Sequence, residues 1–218
     1  IFYTLMYDIL MSNLMKMIKE IAVFLMIIGI IITTYSFSAS EELPLRDVAY
    51  GSILTSGGEA INAIARYVNP NDDAFVSLMN RRVKELGLKH THFVNIEGLD
   101  SFGHMANAKD LTEMLAWALE DDFVRQVYTT DYWRTSPSYY HGEGLELGSW
   151  ALQDLRYRLQ GIDALGVKTG TTWDAGFCAM GLIRKDGVEY IITLMGIPYY
   201  GEHDTPQVEF FKKLADAI

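Results

Sequence analysis

The chain has 218 residues, 50% of them hydrophobic, enough to bury the core of a single domain. Its formal net charge of -10 argues against a nucleic-acid binder. The one cysteine, Cys178, excludes an internal disulfide, and its apolar, strand-like setting marks a small buried hydrophobe rather than a nucleophile.

Residues 1–40 contribute nothing to the charge excess, because Asp8 and Glu20 balance Lys16 and Lys19. Met15-Lys16-Met17-Ile18-Lys19 is a short basic start, residues 21–32 are an uninterrupted apolar run, and Ser38-Ala39-Ser40 offers small residues for cleavage. That order reads as a secretory signal peptide within a leader over 1–40, with Met15 as the candidate start. The alternative is an uncleaved leader that attaches the chain to a membrane; the apolar run is short for a span, although residues 33–37 extend it. Either way, residues 41–218 are expected to be exported. An exported acidic domain without disulfides suits a bacterial cell envelope.

From Pro44 onward the pattern is helical. Leu45, Val48, Ala49 and Ile53 share a face that stops at Ser56-Gly57-Gly58. Ala60, Ile61, Ile64, Tyr67 and Val68 make a second face ended by Pro70. Phe75, Leu78, Met79, Val83 and Leu86 make a third, capped by Asn71 or Asp72 and stopped by Gly87. Residues 91–95 are short and extended, 98–103 form a turn-rich loop, and Asn107 caps a helix whose face is Leu111, Met114, Leu115, Ala118 and Leu119. Residues 128–160 hold no period and read as strand fragments and a long loop. Residues 167–171 then lead to an apolar run over 177–184. Lys185-Asp186-Gly187 turns that run into another over 188–195, a good hairpin signal. Thr205-Pro206 opens a last helix with Val208, Phe211, Ala215 and Ile218 on one face. Helices first, then antiparallel strands and a closing helix, predict an α+β fold.

The chemistry-bearing text is Gly166-Val167-Lys168-Thr169-Gly170-Thr171-Thr172, followed by Ala175-Gly176-Phe177. A lysine, a hydroxyl and a glycine side by side offer a cation, a donor and bare backbone to one small anion. Alone, the tripeptide is a common accident. Alone too, Ser56 would be read as a helix cap. The order Ser56-Gly57-Gly58, then Lys168-Thr169-Gly170, is that of the second and third signatures of serine acyl-transferring, penicillin-recognising enzymes. Further text agrees: Leu45-Arg46-Asp47, Leu54-Thr55-Ser56-Gly57, Phe75-Val76-Ser77-Leu78-Met79-Asn80, Lys84-Glu85-Leu86-Gly87-Leu88, Thr91-His92-Phe93-Val94-Asn95 and Gly98-Leu99-Asp100. From about residue 43 to the end, the chain resembles the D-alanyl-D-alanine carboxypeptidases, the low-molecular-weight penicillin-binding proteins.

The resemblance implies a β-lactamase and penicillin-binding-protein-like fold over residues 41–218, a helical cluster beside an antiparallel sheet with the site between them. It implies that Ser56 shuttles protons, that Lys168 and Thr169 bind the terminal carboxylate of a peptidoglycan stem peptide ending in D-Ala-D-Ala, and that Gly170 lets substrate backbone lie on the strand. The backbone N–H of Thr171 would be one of two oxyanion donors. It implies no cofactor or metal. His90 and His92 alternate without a third ligand, so packing or solvent roles outweigh a metal site. His104 and His141 are positions that could line the cleft.

Two departures stand out. Gly58 occupies the place of the family's asparagine, and neighbouring Glu59 could oppose a substrate carboxylate. The nucleophile motif Ser-x-x-Lys is missing: none of the eleven serines is followed three residues later by lysine. The family carries that helix, with its first strands, between the signal peptide and the helix at Leu45. Three readings follow: a serine-type D-Ala-D-Ala carboxypeptidase hydrolase of cell-wall peptidoglycan, incomplete at its N-terminus; a catalytically inactive peptide-binding remnant; and, last, a class A β-lactamase. β-Lactams would react only if a nucleophile were supplied.

Overall fold

In the computed structural model, which describes residues 37–38, 41–198 and 206–218, the helix expected after Pro44 runs over Leu45–Leu54 (α1). The signal-peptide or anchor expectation lies almost wholly outside the described residues, as does Thr205. Among the described residues, no helix is long and apolar enough to cross a membrane.

α1 is followed by Gly58–Val68 (α2) and Asp72–Glu85 (α3). Asn71, not Asp72, caps α3, its side chain accepting from the Ala74 N–H, and Gly87 ends the turn beyond α3 at a positive φ of 74°. On α2, Tyr67 falls off the apolar face and is 55% exposed. The expected extended stretch near Thr91 is a single bridge, His92 to Met105. Asn107 caps Ala108–Ala118 (α4) by accepting from the Asp110 N–H.

Two helices were not expected. Asp122–Thr129 (α5) starts where the Asp121 carboxylate accepts from Phe123 and Val124 N–H, and it buries Val124, Val127 and Tyr128. Trp150–Arg158 (α6) starts at Ser149, whose hydroxyl accepts from the Leu152 N–H, and buries Ala151, Leu152 and Leu155. Both carry a cap and an i, i+3 apolar stripe that the aromatic-rich background obscures. Before α6, Tyr132–Arg134 (β1) and Glu146–Gly148 (β2) pair antiparallel, so the expected strand fragments are present.

The main sheet is Asp163–Thr172 (β3), Gly176–Lys185 (β4) and Val188–Ile197 (β5), antiparallel in the order β3-β4-β5. Asp186 and Gly187 both take positive φ, 51° and 80°, as a tight primed turn between right-twisted strands requires. A register shift lies between Ala164 and Gly166. Pro206–Ala217 (α7) closes the fold, burying Val208, Phe211 and Ala215, whereas Ile218 is 48% exposed.

The sheet is a middle layer. On one face Met180 and Leu182 join the core of α1–α5; on the other Val167, Ala179, Ile183 and Ile192 join the core of α6 and α7. Two glycines allow this close packing. A Cβ on Gly166 would lie 2.6 Å from the Tyr128 ring, and one on Gly181 would lie 2.4 Å from the Phe211 ring. The architecture is therefore α+β, with helices on both sides of an antiparallel sheet.

Candidate functional site

Residue alternation along β3 sets the site. Gly166, Lys168 and Gly170 share the face toward α1–α5, while Val167, Thr169 and Thr171 share the face toward α7. β3 pairs only with β4, so among the described residues its other edge is open. Along that edge runs a cleft of about 300 Å3, lined by residues 53–56, 148–151 and 167–171 with Phe177 and Gln207. Ser56, Lys168, Thr169, Gly170 and Thr171, separated by more than a hundred residues in sequence, therefore line one space.

Lys168 is 6% exposed. Its Nζ donates to the Thr169 carbonyl at 2.7 Å, and among the described residues no carboxylate pairs with it. Burial pushes its ammonium down from the usual 10.5 to about 8, since the charged form has left water without a counter-charge. Tyr128 holds the neighbouring wall: its ring packs over Gly166 and its hydroxyl donates to the Met180 carbonyl at 2.6 Å. Met180 is the strand partner of Lys168.

Ser56 lines the same cleft from just beyond the end of α1. It is a non-glycine residue at φ 55°, in the left-handed region that disfavours a Cβ. The cap reading of Ser56 does not hold: Gly57 occupies the cap of α2 and no side chain caps that end. The turn is fixed by backbone, the Gly57 N–H donating to the Gly51 carbonyl at 3.2 Å. α1 itself is anchored by Asp47, which is 3% exposed. Its carboxylate accepts from Trp133 Nε1 and from the Ser136 N–H, each at 2.8 Å, while Tyr50 stacks on Trp133 with centroids 3.9 Å apart.

Gly58 opens α2, and a Cβ there would meet nothing within 4 Å. Glu59 is turned aside, its Oε1 accepting from the Phe37 N–H at 3.3 Å. Neither His104 nor His141 lines the cleft. His104 borders a separate cavity of about 320 Å3 with Cys178 and Met195, where burial, reinforced by His92, holds its imidazole below the usual range. His141 Nδ1 bonds Glu41 Oε1 at 2.8 Å. Cys178 is a buried free thiol, pushed up by burial. Among the described residues, no group of three or more His, Cys, Asp or Glu is arranged to hold a metal ion.

Sequence reasoning missed Trp150 and Gln207. Trp150, at the start of α6, is half-exposed at the cleft. Gln207, one residue into α7, is 3% exposed, and among the described residues its Oε1 has no hydrogen-bond partner. The only signal for Trp150 was the serine cap before it; Gln207 had none.

A family model for D-alanyl-D-alanine carboxypeptidase matches residues 32–198. The chain is 31% identical over 160 residues to the D-alanyl-D-alanine carboxypeptidase DacF of Bacillus subtilis, covering 72% of this chain and 39% of that protein. It is 30% identical over 159 residues to DacC of Escherichia coli, covering 72% and 37%. The chain thus spans about two fifths of the length of these curated relatives. Among solved structures, the R248L mutant of Streptomyces K15 DD-transpeptidase superposes with a TM-score of 0.71 at 19% identity, over 92% of this chain and 85% of that one. Penicillin-binding protein D2 of Listeria monocytogenes, in its ampicillin-bound form, gives 0.68 at 21%, over 91% and 83%. The fold is thus that of the penicillin-binding proteins.

Proposed function

Because the chain belongs to the D-alanyl-D-alanine carboxypeptidase family, we propose that its cleft receives the D-Ala-D-Ala end of a peptidoglycan stem peptide in the bacterial cell envelope. Lys168, Thr169 and Gly170 then form the carboxylate-binding wall of a serine-type carboxypeptidase site. The observation that carries this reading is Lys168, a buried ammonium without a counter-charge on the open edge of a strand.

A ligand carboxylate supplies the missing charge, and charge-assisted bonds of this kind are the strong ones. The Thr169 hydroxyl adds a second donor. Gly170 presents no side chain, so an extended peptide can lie along β3 as an added strand. The Ser56 hydroxyl, held at the cleft by its strained backbone, would carry protons to and from the leaving amine wherever a nucleophile is supplied. The Thr171 N–H is the oxyanion donor on this wall.

Acyl transfer also needs an activated nucleophile. No Ser-x-x-Lys occurs in the 218 residues, so these residues bind and position a peptide without forming an acyl-enzyme. Peptide binding without turnover is the second reading, and the same absence favours it, together with Gly58 in place of an amide side chain. The purified chain should take no covalent label from fluorescent penicillin; a labelled band at its mass would reveal a nucleophile outside Ser-x-x-Lys. It should bind a D-Ala-D-Ala peptide at least tenfold more tightly than Lys168→Ala does. Equal binding by the two would overturn the carboxylate reading.

A further inference from the structure

Gln207 is a residue of the Lys168 cleft to which neither its sequence context nor the carboxylate site gives a task. Its side chain is almost wholly buried, yet its Oε1 accepts nothing. A buried acceptor left empty is unfavourable and uncommon in folded proteins.

Packing places it. α7 lies along β4: near its far end the Ala215 carbonyl accepts from Lys185 Nζ at 3.3 Å, and further back the Phe211 ring fills the space left by Gly181. One helical turn back from Phe211, about 6 Å along the axis, is Gln207. The same distance along β4 is two residues, from Gly181 to Ala179, whose partner on β3 is Thr169. Gln207 is thus brought level with Thr169, and the Thr169 carbonyl is the group that holds the Lys168 ammonium. Both residues line the one cleft, Lys168 from β3 and Gln207 from the α7 side, with the unfilled acceptor buried behind its wall.

The geometry points to Gln207 as a specificity-determining residue, its Oε1 accepting the amide N–H of the ligand's C-terminal residue while Lys168 holds that residue's carboxylate. This inference rests on the carboxylate reading above. In a peptide C-terminus the amide nitrogen and the carboxylate carbon are two bonds apart, so one terminal residue can meet both groups. An ester in place of the amide removes the donor and sets an oxygen against Oε1. A site built to bond an N–H rejects such an analogue, because its own polar group is left unpaired.

The test is titration calorimetry on the 218-residue chain with an acetylated peptide ending in D-Ala-D-Ala and with its matched ester ending in D-Ala-D-lactate. The chain should prefer the amide by at least tenfold. Gln207→Leu should bind both at the weaker, ester-like affinity, with an unchanged or raised thermal midpoint because the empty acceptor is gone. Gln207→Met repeats the comparison if the leucine variant does not fold. Equal binding of amide and ester by the unaltered chain overturns the inference and leaves the carboxylate reading standing. So does an amide preference that survives in the variant, or a parallel loss of both ligands. Binding of neither ligand by the unaltered chain overturns both.

Discussion

Replacing Lys168 by methionine probes the electrostatics of the cleft without any substrate. The side chain becomes one atom shorter and loses its charge. In the folded chain, burial lowers the ammonium from the usual 10.5 to about 8. Between those values the unfolded chain binds more protons than the folded one, so the Lys168 contribution to stability rises with pH across that window. Below about pH 8 the full cost of charging the buried amine is present, and by 10.5 it is gone. A fall from 10.5 to about 8 amounts to about 3 kcal/mol. Methionine removes that cost and forfeits the bond to the Thr169 carbonyl, which contributes about 1 kcal/mol. Lys168→Met should therefore be more stable by about 2 kcal/mol at pH 7, or about 4–8 °C in thermal midpoint. The advantage should vanish and then reverse slightly as pH approaches 10.5. Urea melts of both proteins at pH 7, 8.5 and 10 measure it, the difference between them cancelling every other titrating group. A methionine variant less stable than its parent at pH 7, or a difference that does not change with pH, would refute the reasoning.

Ser56→Gly should relieve the left-handed backbone at φ 55° and stabilise the chain by about 1 kcal/mol in calorimetry, while removing the cleft hydroxyl. Gly58→Asn places an amide in space that is open to it, and one added hydrogen bond of about 1 kcal/mol should tighten D-Ala-D-Ala peptide binding roughly fivefold. Asp47→Ala leaves the Trp133 and Ser136 N–H groups without their acceptor and should cost about 2–4 kcal/mol in denaturant melts. The same variant should weaken peptide binding, because α1 carries Ser56.

The parts of the fold read correctly from sequence were those encoded locally. Asp186-Gly187 has one economical structure between two β-rich runs, and Asn71 and Asn107 sit where caps must sit. The face of Lys168 follows from strand alternation. What was missed depends on contacts far apart in sequence. Asp47 was read only as part of the Leu45-Arg46-Asp47 motif, and its donors, Trp133 and Ser136, lie more than eighty residues on. Ser56 was singled out by its motif, but its left-handed backbone, with Gly57 at the cap of α2, was not legible in the sequence. Gln207 reaches the cleft only because Gly181 admits the Phe211 ring one turn away. A glycine in a strand signals close approach, but not which helix approaches. α5 and α6 are a different case: Asp121 and Ser149 are ordinary caps with apolar residues at helical spacing after them. The signal was present, and the tyrosines, tryptophans and Pro137 around it masked the period.

Three locally unfavourable features meet at one cleft of about 300 Å3. Among the described residues, Lys168 is a buried cation without an anion and Gln207 a buried acceptor without a donor, while Ser56 is a side-chain-bearing residue in a glycine conformation. They arise on three elements that share no local sequence: the middle of β3, the end of α1 and the start of α7. Each has a simple expected remedy, methionine, glycine or leucine at the same position. Unfavourable features that persist where relief is one substitution away mark a site shaped for a ligand rather than for stability. The ligand that relieves two of them together must bring a carboxylate to Lys168 and an N–H to Gln207, which is the description of a peptide C-terminus. Lys168 and Gln207 reach one cleft from different elements, which is what the proposed peptide binding, with or without turnover, requires of this chain.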